Sequence, residues 1–144
     1  VDAGGWVTRI QSLKGTGVAG EMAEIKRFGD SARWSDMVVH RGTAYWVEVA
    51  DDPTRDSAGQ IAQVLEQIDA TLLRLGASRS DLLQVLIYLS DLSDAAALNR
   101  QWDLWVAPGA PPVRACVQAG LSPGYRVEMV ITAAVSTTAG MDLN

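Results

Sequence analysis

Between residues 111 and 135 the chain reads PPVRACVQAGLSPGYRVEMVITAAV. Val113 to Ala119 and Arg126 to Val135 alternate as strands around the breaker run Leu121-Ser122-Pro123-Gly124-Tyr125. On the first, Arg114, Cys116 and Gln118 share one face, and Val113, Ala115, Val117 and Ala119 share the other. On the second, Arg126, Glu128, Val130 and Thr132 alternate with Val127, Met129, Ile131 and Ala133. An Arg and a Glu inside apolar strands are unusual, because charge is rarely buried unpaired. Two readings stand side by side. One is a cross-strand ion pair. The other is an Arg that clamps a carboxylate and a Glu that polarises water.

Register separates them. If the two strands form a hairpin symmetric about Pro123, Glu128 faces Gln118. Arg114 then lies four residues further on, roughly 13 Å at ~3.4 Å per residue. One small ligand could not easily touch both within one chain. A site between subunits, Arg114 from one and Glu128 from the next, resolves the distance.

Working outward, Leu82 to Leu89 is a nearly continuous apolar run that suits a central strand covered on both faces. Ser57 to Leu75 reads as a helix, with Ile61, Val64, Leu65, Ile68, Leu72 and Leu75 on one stripe. Asp56 or Ser57 can cap its start, and Gly76 suits its end. A second helix begins at Ser93 or Asp94, carries Leu98, Trp102 and Trp105 inward, and stops at Pro108-Gly109. Met37 to His40 and Ala44 to Val49 form a hairpin about Arg41-Gly42-Thr43. Glu24 to Phe28 can add a short edge strand. The order is β-β-β-α-β-α-β-β, an α+β fold of one sheet with two helices on one face. The uncovered face predicts self-association.

Residues 1–21 show neither strand nor helix period and are expected to be a flexible leader, with a vector as one origin for it. Met22 opens the expected domain, 22–135, and 136–144 is an expected disordered tail. Gly15, Gly17 and Gly20 spell G-x-G-x-x-G. No apolar strand precedes them, so a dinucleotide turn is not expected.

Composition narrows the function classes. The chain has 144 residues, 48% hydrophobic, room for one domain. Twelve Lys and Arg against 17 Asp and Glu leave a formal charge of -5, which argues against a nucleic-acid partner. No apolar run approaches the ~20 residues of a membrane span. One cysteine, Cys116, and one histidine, His40, make a structural zinc site or a Ser-His pair unpromising. A lone Cys on a strand is most often a small inert hydrophobe. His40 is expected to face solvent or bond locally. Trp102 and Trp105 are expected in the core, and Trp34, before the first hairpin strand, can wall a pocket. A reducing, cytoplasmic setting is the default for such a chain.

The segments P-P-V-R-A-C-V-Q-A-G-L and Y-R-V-E-M-V-I-T-A-A-V resemble the C-terminal signature of the RidA (YjgF-like) family of imine and enamine deaminases, also called endoribonuclease L-PSP proteins. I-D-A-T-L-L-R-L-G-A-S-R-S-D-L-L-Q-V-L-I-Y-L-S-D and A-A-L-N-R-Q-W-D-L-W-V fit its helix-strand-helix middle. The resemblance runs in order from about Ile25 to Val135. R-W-S-D-M-V-V-H and W-D-L-W-V are most similar to the YoaB-like branch.

What the resemblance implies is a chorismate-mutase-like fold assembled as a homotrimer, with sheets lining a central barrel and pockets between subunits. It implies that Arg114 binds a substrate carboxylate, that backbone near Cys116 helps hold the ligand, and that Glu128 positions the attacking water. Asn99 matches the helix Asn of V-N-x-x-Y, and Trp34 takes the place of an aromatic often found as Tyr. No metal and no organic cofactor is implied. One departure is plain. Many members carry S-G-Q at the end of the second hairpin strand, where this chain has Val47-Glu48-Val49, so Glu48 is expected to intrude on the pocket. The expected activity is hydrolysis of small 2-imino acids to 2-oxo acids and ammonia. The alternative is a protein that binds or senses small carboxylates without turnover. Ribonuclease activity is the weakest reading, since acidity and the lack of a histidine pair give RNA cleavage no means.

Overall fold

A computed structural model describes residues 24–139. The expected leader with its glycine triplet lies outside the described residues. Strands β1 (Lys26–Phe28), β2 (Met37–His40) and β3 (Thr43–Val49) lead to helix α1 (Ser57–Arg74). Strand β4 (Leu82–Leu89), helix α2 (Ala95–Trp105), β5 (Val113–Gln118) and β6 (Val127–Ala134) follow. All six strands join one mixed sheet in the order β1-β2-β3-β6-β4-β5.

Local chemistry explains the boundaries. The β2–β3 hairpin turns on Arg41 and Gly42, both at positive φ (49° and 76°), as a two-residue hairpin turn demands. Asp56 caps α1 by accepting from the Gly59 N–H at 2.8 Å. Gly76, at φ 70°, takes the left-handed turn just past its end. The expected Asp94 N-cap holds position at α2, but its side chain caps nothing. It instead accepts from the Ser57 hydroxyl at 2.7 Å and ties the two helices together.

The largest correction concerns the last two strands. They are not a hairpin. Strand β5 pairs in parallel with β4, with Val85 opposite Arg114 and Ile87 opposite Cys116. Strand β6 crosses over β4 and inserts between β3 and β4, antiparallel to both. The α2 crossover returns the chain parallel to β4. One face of the inserted strand is wholly buried: Val127, Met129, Ile131 and Ala133 are each 0% exposed. Strand β4 was expected to be covered on both faces. It is covered on one, where Val85, Ile87 and Leu89 meet the helices.

Ile61, Val64, Leu65, Ile68 and Leu72 from α1, with Leu98, Trp102 and Trp105 from α2, fill the core against that face. Tyr45, Val47, Val113 and Val117 lie on the opposite face, and each is at least 46% exposed. Among the described residues no layer covers them. The tail expected to be disordered from Ser136 still forms a turn through Ala139, which is buried. No helix among the described residues is long and apolar enough to cross a membrane.

Among the described residues one polar side chain sits in the core. Gln60 is 0% exposed. Its Nε2 donates to the carbonyls of Pro53, Arg55 and Gly124, and its Oε1 accepts from the Arg126 N–H. This clasp pins the β5–β6 connection to the start of α1 and sets where β6 begins. Gln60→Leu keeps the volume but strands four backbone groups. It is expected to cost about 3 kcal/mol in urea unfolding.

Candidate functional site

Strand β2 stops pairing at Met37 opposite Trp46, whereas β3 continues beside β6 to Val49 opposite Glu128. The end of β3 therefore loses its β2 neighbour, and a cleft of about 900 Å³ opens there. The 29–36 loop forms its outer wall with Trp34, Ser35 and Asp36, and α1 supplies Thr71 and Arg74. That loop turns away on Gly29, at φ 114°, where a Cβ would come within 2.8 Å of the Asp36 carboxyl. The Asp36 N–H bonds the Phe28 carbonyl at 2.7 Å and closes it.

Three expected site residues meet in this cleft: Trp34, Glu48 and Glu128. Glu128 projects from the open face of β6, on the same rung as Val49 and Tyr88. No side-chain hydrogen bond or ion pair among the described residues occupies its carboxylate. Trp34 is 62% exposed, a wall rather than a core residue.

Glu48 points the other way, toward α1. Gln67 Nε2 donates to one of its oxygens at 2.9 Å and the Thr71 hydroxyl to the other at 3.1 Å. Gln67 also donates to the Val49 carbonyl and accepts from the Asp51 N–H, locking the end of β3 to α1. Burial pushes the Glu48 carboxyl above its ordinary pKa; the bonds from Gln67 and Thr71 oppose the shift without cancelling it. The folded state thus holds the proton more tightly than the unfolded chain, so this group's contribution to stability falls as pH rises through that raised range. Glu48→Gln is expected to flatten the fall and raise stability at neutral pH, as urea titrations between pH 4.5 and 7.5 would measure.

Arg114, Cys116 and Asn99 lie elsewhere. Strand β5 is the far edge of the sheet, and Arg114 and Cys116 face the helix layer. Arg114 Cζ stands 5.2 Å from the centroid of the Trp102 ring. Asn99, exposed on α2, lies three residues before Trp102 and so beside it on the helix surface. Cys116 packs against the core, and burial raises its thiol pKa, with Arg114 opposing weakly. A thiol so raised is a poor nucleophile. The Arg114–Glu128 ion pair does not form. The two strands are separated by β4, the two side chains leave opposite faces, and Arg114 lies three residues from the Glu128 rung. At ~4.8 Å per strand and ~3.3 Å per residue, their backbones are roughly 14 Å apart. The expected site residues thus fall into two separate groups in one chain: Arg114 with Cys116 and Asn99 at the β5 edge, Glu128 with Trp34 and Glu48 in the cleft.

Sequence reasoning missed Asp36 and Arg74 in the cleft, and the roles of Gln60, Gln67 and Thr71. A signal existed. Gln60, Val64, Gln67 and Thr71 run at helical spacing, and polar residues on a buried stripe demand partners. His40 also departs from expectation, because its Nδ1 is buried without a partner. Among the described residues no three His, Cys, Asp or Glu side chains gather as metal ligands.

A family model described as Endoribonuclease L-PSP matches residues 21–135. The chain belongs to this family. Its members are the RidA or YjgF-like proteins of the sequence resemblance. Among RidA-family relatives, the RutC family protein YoaB of Escherichia coli K12 is 46% identical over 112 residues, covering 77% of this chain and 98% of that protein. A RutC family protein of Haemophilus ducreyi is 38% identical over 114 residues, covering 78% and 97%. Of solved structures, an uncharacterized protein from Pseudomonas aeruginosa superposes with a TM-score of 0.73 at 42% identity, covering 78% of this chain and all of that one. A YjgF-family member from Neisseria meningitidis gives 0.71 at 40% identity, covering 78% and 96%. The chorismate-mutase-like fold follows from these similarities and from the sheet order.

Proposed function

We propose that the protein hydrolyses small 2-imino or enamino acids to 2-oxo acids and ammonia, at sites formed between neighbouring subunits of a homotrimer. The observation that carries this reading is the split of the site. Among the described residues neither Arg114 nor Glu128 has an ion-pair partner that would neutralise it, yet one chain cannot bring them to a single small ligand. A second copy, its β5 edge set against the cleft of the first, can. The exposed Tyr45, Val47, Val113 and Val117 supply an apolar surface for that association.

In the assembled site the Arg114 guanidinium grips the substrate carboxylate with two parallel hydrogen bonds, a geometry Lys cannot offer. The Glu128 carboxylate accepts a hydrogen bond from a water and aims its oxygen at the C=N carbon. Water adds and one of its protons passes to nitrogen; the new hydroxyl then gives its remaining proton to the amine as the C–N bond breaks, so ammonia departs and the carbon keeps its oxygen as the 2-oxo group. The chemistry needs no redox partner and no cofactor. Trp34 shields the imine from bulk water.

The test is to generate 2-imino acids in situ with an amino-acid oxidase and follow their loss with and without the protein. Accelerated release of ammonia and 2-oxo acid is expected. A second reading, carboxylate binding without turnover, draws on Glu48, which stands where many members have a small residue. Thermal shifts with pyruvate in the absence of imine turnover would select it.

A further inference from the structure

We propose that Trp102 is a positioning residue for Arg114, its indole face holding the guanidinium while leaving every N–H free for a carboxylate. The inference rests on the reading of Arg114 as the substrate anchor.

Two arginines of this chain lie against two tryptophans, and the contrast between them is informative. Arg79 Cζ is 5.1 Å from the Trp105 ring centroid. Three of its five donors are taken: Nε and Nη2 each reach Asp69 at 2.7 Å, and Nη1 reaches the Trp105 carbonyl at 2.9 Å. That guanidinium is a structural clamp. Arg114 lies at nearly the same distance from Trp102, 5.2 Å. It has no carboxylate or carbonyl among the described residues to spend its donors on.

Arg114 carries a long flexible stem on an edge strand, and ordering such a side chain costs entropy on binding. An acidic neighbour would order it but would occupy the fork and cancel the charge. The face of an indole orders it through the ring quadrupole and takes no donor. The platform is itself rigid. Trp102 is 6% exposed. Trp105 packs on it at 5.4 Å with the planes tilted 47°. The Trp105 Nε1–H is fixed by both oxygens of Asp69 at 3.1 and 3.2 Å. The line from Asp69 through Trp105 and Trp102 to Arg114 therefore runs from an ion-paired guanidinium on the helix layer to an exposed cation at the sheet edge.

The test replaces Trp102 in the full-length protein with tryptophans of increasing fluorination, incorporated at that codon alone. Fluorine drains the ring quadrupole with little change of shape, so packing is kept. Pyruvate binding and the KM for 2-imino acids are measured across the series, with Arg114→Met and the same fluorinated series at Trp105 alongside. The expected result is a graded weakening, about three- to tenfold in Kd and KM at the most fluorinated ring, with kcat within about twofold. The Trp105 series should be flat. Trp102→Phe should fall within the graded range. A flat or strengthening Trp102 series, while Arg114→Met abolishes pyruvate binding, overturns the positioning role and leaves the anchor reading intact. Equal weakening from both series reduces Trp102 to ordinary core packing and also overturns it. Undiminished pyruvate binding by Arg114→Met overturns the anchor reading, and this inference with it.

Discussion

Arg114→Ala is expected to abolish the proposed imine hydrolysis while the proposed oligomer persists. The expected loss in kcat/KM is at least about a hundredfold, because a charge-assisted bidentate contact is removed from both ground and transition state. Coupled amino-acid-oxidase kinetics give the rate, and light scattering after size exclusion gives the mass. The side chain is exposed and touches Trp102 rather than any charged partner, so removing it leaves no orphaned group in the core. An unchanged rate in the variant would sink the mechanism.

Glu128→Gln is expected to lower kcat by about 10²- to 10⁴-fold, the span typical of removing a positioned base. KM should change little, since the amide is nearly isosteric and Arg114 still holds the substrate. The partner to this experiment is complementation. In the proposed homotrimer, mixing equal amounts of Arg114→Ala and Glu128→Gln chains, unfolded and refolded together, should place an intact Arg114 against an intact Glu128 at one site of each mixed trimer. About a quarter of the native activity should return under random assembly. No recovery would mean that both residues act from one chain, which the opposite faces of β5 and β6 make hard to build.

The elements were legible because they rest on local rules. The α1 stripe from Ile61 to Leu75, the Asp56 cap, the Arg41-Gly42 turn and the period-2 faces of β5 and β6 each depend on residues a few positions apart. The face partition survived even where the topology did not: Arg114 shares a face with Cys116 whether β5 pairs with β6 or with β4. The strand order was harder to read. Strands near in sequence usually pair, and the 121–125 breaker run is as compatible with a hairpin as with a crossover. Only the competition for burial across the whole sheet places β6, with Val127, Met129, Ile131 and Ala133 wholly buried, at the centre and β5, with exposed Val113 and Val117, at the edge.

Glu48 shows the same division. Its position at the end of β3 marked it as an intruder on the pocket. Its direction depends on Gln67 and Thr71, nineteen and twenty-three residues away, which draw the carboxylate to α1. Trp102 was readable as core and is core, but the stack of Arg114 on its ring is set by how α2 crosses β5.

The sequence alone thus determined the family, the α+β class, the helices and the strand faces, and it singled out the two charged residues on which the proposed chemistry rests, because side-chain periodicity and motif spacing are written along the chain. The tertiary structure decided which strand lies in the middle, which way Glu48 turns and what Arg114 rests on. Those are outcomes of long-range packing, in which buried area and satisfied polar groups are compared across the whole fold. That comparison also changed the ground for separating Arg114 from Glu128, from distance along one hairpin to opposite faces of one sheet.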